Sequence, residues 1–435
     1  MKCPTCGQIC RTNRETCALC GTPFPKKRSH SGLVFTLLVI LALALAGLAA
    51  WLLLQPARPA EDDARIVEPE LPAEPPAPTP RADVLFTDAA EIYVRESYTL
   101  ALRTDGTLAL AGQSASPEFG FDLFDWKGIV QVIPEDYFIF ALNGEGRVRM
   151  TGEVSGYEEA ARWTGVTRLT FAESSTGPGV LLGLTEDGRV LAAGPELDFD
   201  PSRLENVVRL IPSGDVLAVN AEGRVSVLPI QRMLMDAQGL YGVAEVALHS
   251  DFAFYRMEDG SVRPGSSYYV YFSNNFFFSW KDTLTLRVGD RYLLGLMGDG
   301  RVLGDAFLHG EPLPDTSGWS GVVQLELDTE RIIAYGLTED GRVLTACAGE
   351  GSPPDLSGWE NVAELQLNSA YLAARTRDGR VLVCAFENAP AALNTADWDQ
   401  VTAICLGPRN LAALRADGTV LVTGDNSCGQ CGPAA

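Results

Sequence analysis

The residues of this chain most capable of chemistry are its ten cysteines, which fall into two sets, five before position 21 and five after position 346. That split argues against one disulfide framework spanning the protein. Cys3-x2-Cys6 and Cys17-x2-Cys20 form two knuckles, each followed by a glycine, Gly7 and Gly21. Four thiolates satisfy a tetrahedral zinc ion, and each trailing glycine permits the positive φ that turns backbone amides toward sulfur. Four cysteines leave no open coordination position, so the expected zinc is structural. In so short a segment (residues 1–24) it would supply most of the folding energy. A pair of redox dithiols is the competing reading, and Cys10 is a spare thiol.

The other candidates carry less. Cys428-x2-Cys431 has redox spacing, yet the two cysteines flank Gly429-Gln430 and read as part of a loop. Cys347, Cys384 and Cys405 fall at strand positions and read as small buried apolar groups. His30, His249 and His309 have no partner visible in the sequence and read as loop or surface residues. Catalysis needs convergent acids, bases or nucleophiles, and the sequence singles out no such set, so no catalytic residue is assigned. Aromatic clusters are better binding candidates. They are Phe119, Phe121 and Phe124 in FGFDLFDW, and Tyr268, Tyr269, Tyr271, Phe272, Phe276, Phe277 and Phe278 in SSYYVYFSNNFFFSW. Exposed aromatics of this density favour protein or glycan contacts, whereas strand alternation would bury half of them.

The charge of −22 is uneven: residues 1–32 hold six basic groups to one acid, and the remainder 28 basic groups to 55 acids. So acidic a body repels phosphate backbones, and no nucleic-acid partner is expected. Residues 33–54, LVFTLLVILALALAGLAAWLLL, carry no charge. As a helix they rise about 33 Å, enough to cross a bilayer. Lys26, Lys27 and Arg28 precede them and Glu61, Asp62 and Asp63 follow, which places the N-terminus in the cytoplasm and the rest outside. A cleaved signal peptide is the rival, but the run is long for one. Residues 55–83 hold eight prolines among acids and read as an extended linker.

Residues 84–435 are repetitive. The nonapeptide GLTEDGRVL occurs at Gly183–Leu191 and again at Gly336–Leu344. Aligned on Asp/Glu–Gly, nine copies appear, with glycines at 106, 146, 188, 223, 260, 300, 341, 379 and 418. A period near 39 signals an array of one supersecondary unit. About twenty residues before each glycine stands a bulky apolar residue, most often tryptophan, as at Trp163, Trp280 and Trp319. It is expected to pack between neighbouring units. A V-V-x-L run reads as a first strand, the apolar run into Asp–Gly as a second, and R-V-L as a third. Glu186 stands opposite Arg189 and Glu339 opposite Arg342 across the turn in this reading, and both are optional, since Thr104 faces Thr107 in another copy. A variable stretch offers a fourth, outer strand, with the C-terminal tail filling that place in the first unit. Short strands with glycine turns predict an all-β propeller of eight or nine blades.

The last copy, LRADGTVLVTGDNSCGQCG, resembles the regulator-of-chromosome-condensation repeat, L-x-x-D-G-x-V followed by G-x-N-x-x-G-Q, with Gly424, Asn426, Gly429 and Gln430 matching the tail. The resemblance runs from about Phe86 to Gly432, and the earlier copies keep D/E-G-R-V only. In unit length it is similar to β-lactamase inhibitory protein II. The N-terminal cysteines resemble the short zinc ribbons of bacterial proteins. These resemblances imply a propeller scaffold that binds macromolecules on its faces. The expected protein is a single-pass bacterial membrane protein with a cytoplasmic zinc ribbon and an extracytoplasmic propeller. Its expected role is a non-catalytic adaptor for a protein or cell-wall glycan. A cell-wall-acting enzyme and an inhibitor of a secreted enzyme are the alternatives.

Overall fold

Every repeat folds into an antiparallel sheet in which three strands follow one another in sequence, and the described residues contain nine such sheets. The computed structural model describes residues 84–432 apart from 115–117, 119, 174–178, 196, 198, 231–233, 250–251, 266–275, 308–310 and 350–351. The zinc-ligand candidates Cys3, Cys6, Cys17 and Cys20, the apolar run 33–54 and the linker 55–83 lie outside the described residues. Among the described residues, no helix is long and apolar enough to cross a membrane. The blades, numbered one to nine, span 89–112, 129–152, 166–193, 207–228, 243–264, 283–306, 322–347, 362–385 and 401–424. The first strands of neighbouring blades touch around nearly the whole ring, and the first strand of blade one also packs on blade nine. They therefore lie toward the axis, and the third strands lie outside.

The middle strands carry the core, because successive side chains leave a strand on opposite faces and both faces here meet a neighbouring blade. The middle strands of blades three, six and seven, Val180–Thr185, Tyr292–Met297 and Ile333–Thr338, are buried at every position. Nine apolar clusters occupy the nine junctions. One of them joins Phe140, Trp163 and Leu181 across blades two and three. Another joins Ala89 and Ala101 to Ala412 and Leu414 across blades one and nine. The ring is closed.

Both glycines of GLTEDGRVL now have a cause. A Cβ on Gly336 would lie 2.7 Å from the Trp319 ring, and one on Gly183 would lie 2.9 Å from that of Trp163. The equivalent residue is Gly295 under Trp280, alanine in blades one, two, four, eight and nine, and Tyr255 in blade five, where the bulky residue is Leu240. Small residue and large ring are complementary halves of one junction. The turn glycine is also a latch. The Gly341 carbonyl accepts the Val362 amide of the next blade at 2.9 Å, and Gly188 does the same for Val207 at 2.9 Å. A Cβ on Gly341 would meet the Asn361 Cα at 2.9 Å, so the approach itself demands glycine.

Three sequence expectations change. Among the described residues, eight of the nine sheets have three strands, and the variable stretch adds a strand to none of them. Closure also runs the other way. The strand Val84–Phe86 pairs with Val420–Gly424 as the fourth strand of blade nine, while the described residues of the tail, 425–432, form no strand. The turn arginines, finally, bind the aspartates two residues before them, Arg189 to Asp187 and Arg342 to Asp340, each at 2.7 Å, and Glu186 and Glu339 are left out. A side chain two residues away across a tight turn is simply the nearer partner.

Candidate functional site

In all nine blades the pairing between first and middle strand slips across the first two residues of the first strand. The second residue is therefore the extra one of a β-bulge, a device that re-aims a side chain. The re-aimed set is Ala90, Val130, Thr167, Val208, Ala244, Leu284, Val323, Ala363 and Thr402, and none is charged. Val130, Val208, Leu284 and Val323 are 51–60% exposed. Val130 lies beside Gly144 in the Glu145–Gly146 turn of its own blade, which puts this collar on the face that carries the Asp/Glu–Gly turns. Tyr241, 60% exposed at the entry to blade five, stands in sequence between Val208 and Leu284. The sequence carried a signal for this: in V-V-x-L the buried positions are the first and fourth, a spacing that strict alternation cannot produce.

Around the collar stand the turns. Their nine four-residue tips hold twelve carboxylates and seven guanidiniums. Local hydrogen bonds hold the aspartates below the usual carboxylate range. The donors are chiefly hydroxyls two residues away, as from Thr107 to Asp105, Thr185 to Asp187, Ser261 to Asp259 and Thr419 to Asp417, and at Asp299 the Arg301 amide. These acids stay charged at any physiological pH. An apolar centre with a charged rim is the anatomy of a protein-binding surface.

The axis itself is built differently. Gln131 donates to the Leu169 carbonyl at 2.8 Å and accepts the Leu169 amide at 2.9 Å; Gln324 does the same with Leu365, at 2.7 and 3.0 Å. Gln366 reaches Ile404 and Leu406, both at 2.8 Å, and Arg209 reaches the Val243 carbonyl at 2.6 Å. These polar side chains staple one blade to the next and are engaged by the fold.

On the face opposite the turns, the Glu135 carboxyl is pushed up to about 7, by burial first, with Glu173 and Asp136 adding to it and Arg95, 3.0 Å away, opposing it. Between about pH 4.5 and 7 the folded chain thus holds a proton that the unfolded chain has released. Stability from this group is complete below that window and is lost as pH rises through it. Glu135→Gln is expected to remove the slope and to raise stability at pH 8 by about 1 kcal/mol, after discounting for partial exposure. Urea midpoints at pH 5 and pH 8 check it; an unchanged slope in the variant contradicts it.

The aromatic candidates divide. Phe119, Tyr268, Tyr269, Tyr271 and Phe272 lie outside the described residues. Phe277, only 1% exposed, belongs to the interior and is corrected as a surface contact, while Phe121 is half-buried and packs edge-on to Tyr98 at 5.1 Å. Their segments are tied down by the outer strands: Asp305 accepts the Phe277 amide at 3.0 Å and Thr151 the Asp122 amide at 2.8 Å. Phe124, Phe276 and Phe278 remain outside, at 90%, 55% and 45%. His249 does have a partner, Asp290 of the next blade at 2.5 Å, and His309 lies outside the described residues. Among the described residues, no cluster of histidine, cysteine and carboxylate side chains is arranged to hold a metal. Burial pushes the Cys431 thiol up to about 11, which leaves it protonated near neutral pH.

The tail after blade nine is a second clasp. Gln430, fully buried, accepts the Cys428 amide at 2.8 Å and donates to the Glu96 carbonyl of blade one at 3.1 Å. Asn426 folds the tail by accepting the Cys431 amide at 2.8 Å and donating to Gly432 at 3.0 Å. Arg409 bridges Asp425 at 2.7 Å and Glu96 at 3.8 Å.

The architecture defines a β-propeller. Its ninth blade and the start of the tail, residues 401–430, match the regulator of chromosome condensation (RCC1) repeat. No curated protein sequence matches the chain. Among solved structures, the computationally designed Ika8 protein is similar at 16% identity over 68% of this chain and 96% of its own, with a TM-score of 0.41. BamB from Moraxella catarrhalis is similar at 15% over 79% and 98%, with a TM-score of 0.35. Prp20p from Saccharomyces cerevisiae is similar at 14% over 70% and 74%, with a TM-score of 0.30.

Proposed function

We propose that this protein is a non-catalytic, membrane-anchored binding scaffold that docks a protein partner on the turn face of its propeller. The observation that carries the reading is the nine-fold bulge, which sets uncharged side chains, four of them large and half-exposed, inside a rim of permanently charged acids. A partner that fits presents an apolar patch bordered by lysine or arginine. In this reading residues 33–54 span the membrane, residues 55–83 give reach, and the propeller stands outside. Cys3, Cys6, Cys17 and Cys20 hold one structural zinc on the cytoplasmic side, which metal analysis of the purified full chain would count as one ion per molecule.

Docking and topology are tested together by a membrane-impermeant crosslinker applied to intact cells that express the full chain. The expected result is a discrete crosslinked partner that is lost with Val208→Asp/Leu284→Asp/Val323→Asp. Each change adds a charge to a half-exposed apolar site, and together they are expected to weaken binding by at least 100-fold, about 3 kcal/mol. No labelling of the propeller would overturn the topology. An unchanged partner in the triple variant would overturn the docking face.

A further inference from the structure

The face opposite the turns carries a feature that the repeats do not share. Between first and middle strands, blades one, two, six, eight and nine turn through three residues, whereas blade seven uses four, Thr329–Ile332. The extra position holds Ile332 in the left-handed region at φ 56°, where a β-branched residue is strained. The turn is fixed from several sides. Arg331 binds Asp328 through its amide at 2.9 Å and its guanidinium at 2.7 Å, donates to the Ser369 carbonyl of blade eight at 3.1 Å, and lies 4.2 Å over the Phe386 ring. Ile332 accepts the Ala348 amide at 3.0 Å. The result is a cleft of about 570 Å³ between blades seven and eight, with Ile332, Ile333, Pro354, Ala385 and Phe386 as apolar walls.

Its charges are unequal in availability. The Arg331 guanidinium is engaged by Asp328, whose side chain is almost fully buried. Glu330 and Glu387, also lining the cleft, are exposed and make no ion pair among the described residues. An apolar trough with two free carboxylates selects a cation on an aliphatic stem, since such a group lays methylenes on apolar surface and keeps its charge beside the acids. We propose that this cleft is a binding site for an alkylammonium group. Its source is either a lysine side chain of an extended peptide or a free diamine. The site goes beyond the docking face and lies on the other side of the ring.

The test is calorimetric titration of the full chain in detergent with three probes: the peptide acetyl-Ala-Leu-Lys-Leu-Ala-amide, its norleucine analogue, and 1,5-diaminopentane. Saturable binding of the lysine peptide below about 1 mM is expected, at least 10-fold weaker with the analogue and with Glu330→Gln/Glu387→Gln. Saturation by the diamine alone would assign the free amine as the source. Ile332→Gly, which relieves the backbone and removes one wall, is expected to keep the thermal midpoint and lose affinity. Absence of saturable binding by either amine, or equal binding by the double variant, overturns the proposal. Val208→Asp/Leu284→Asp/Val323→Asp should bind these probes normally, which separates this site from the docking face.

Discussion

Phe86→Asp is expected to destabilise the propeller by about 3–5 kcal/mol, and to do so at one junction. Phe86 is 9% exposed and packs with Ala89, Val94, Ala412, Leu414 and Val420 where blade one meets blade nine. A carboxylate there has no basic partner within the cluster, so the strand Val84–Phe86 is driven off the outer edge of blade nine. Blades four to six do not touch that junction and keep their own clusters. Hydrogen exchange should therefore rise first at Val401–Leu406, Val420–Gly424 and Ala89–Val94, with the middle strands of blades four to six still protected. Uniform loss of protection would mean that the ring unfolds as one cooperative unit and would contradict this picture.

Gly295→Val should cost about 1–3 kcal/mol for a single added side chain. A Cβ at that position would sit 2.6 Å from Cζ3 of Trp280, which is itself 2% exposed, and neither can retreat. Trp280→Ala is expected to cost about 3–5 kcal/mol through the cavity it leaves between blades five and six. The two sites fill one volume, so Trp280→Ala/Gly295→Val should be less destabilised than the sum of its single variants by more than about 1 kcal/mol. Denaturant midpoints of the four chains decide it. Strict additivity would show that the glycine is there for some reason other than the ring above it.

The propeller was readable from the sequence because its punctuation is chemical. Asp–Gly marks a turn wherever it appears, and a period near 39 residues with a bulky apolar residue before each turn leaves few architectures open. The number of sheets was harder, because an outer fourth strand can come from the variable stretch or from elsewhere, and only pairing distinguishes them. Val84–Phe86 is too short to announce that its partner lies at the other end of the chain. The proposed docking face was mostly illegible. FFFSW and FGFDLFDW read as aromatic runs, yet Phe277 points inward, its amide held by Asp305, and Phe121 is half-buried against Tyr98. Val208 and Val323 passed as ordinary strand residues, because a bulge does not change composition; it changes direction. The tail of the last repeat carries the family resemblance, but its work, Gln430 reaching Glu96 across 334 positions, becomes visible only when the first and last blades meet.

The closing strand also sets an order in time. Val84 pairs with Leu421, so the first strand of the ring has no partner until nearly the last one exists. Each blade can stack on its predecessor as it emerges, since every other junction joins sequence neighbours. Closure alone is non-local, and such contacts form late and slowly. A nascent chain halted anywhere before residue 420 carries a stack of finished blades with an open edge at each end. Open edges are where chains join one another. For this protein the dangerous interval lies before Val420–Gly424 and Gln430 have been made, and it ends when the closing strand and the tail are clasped.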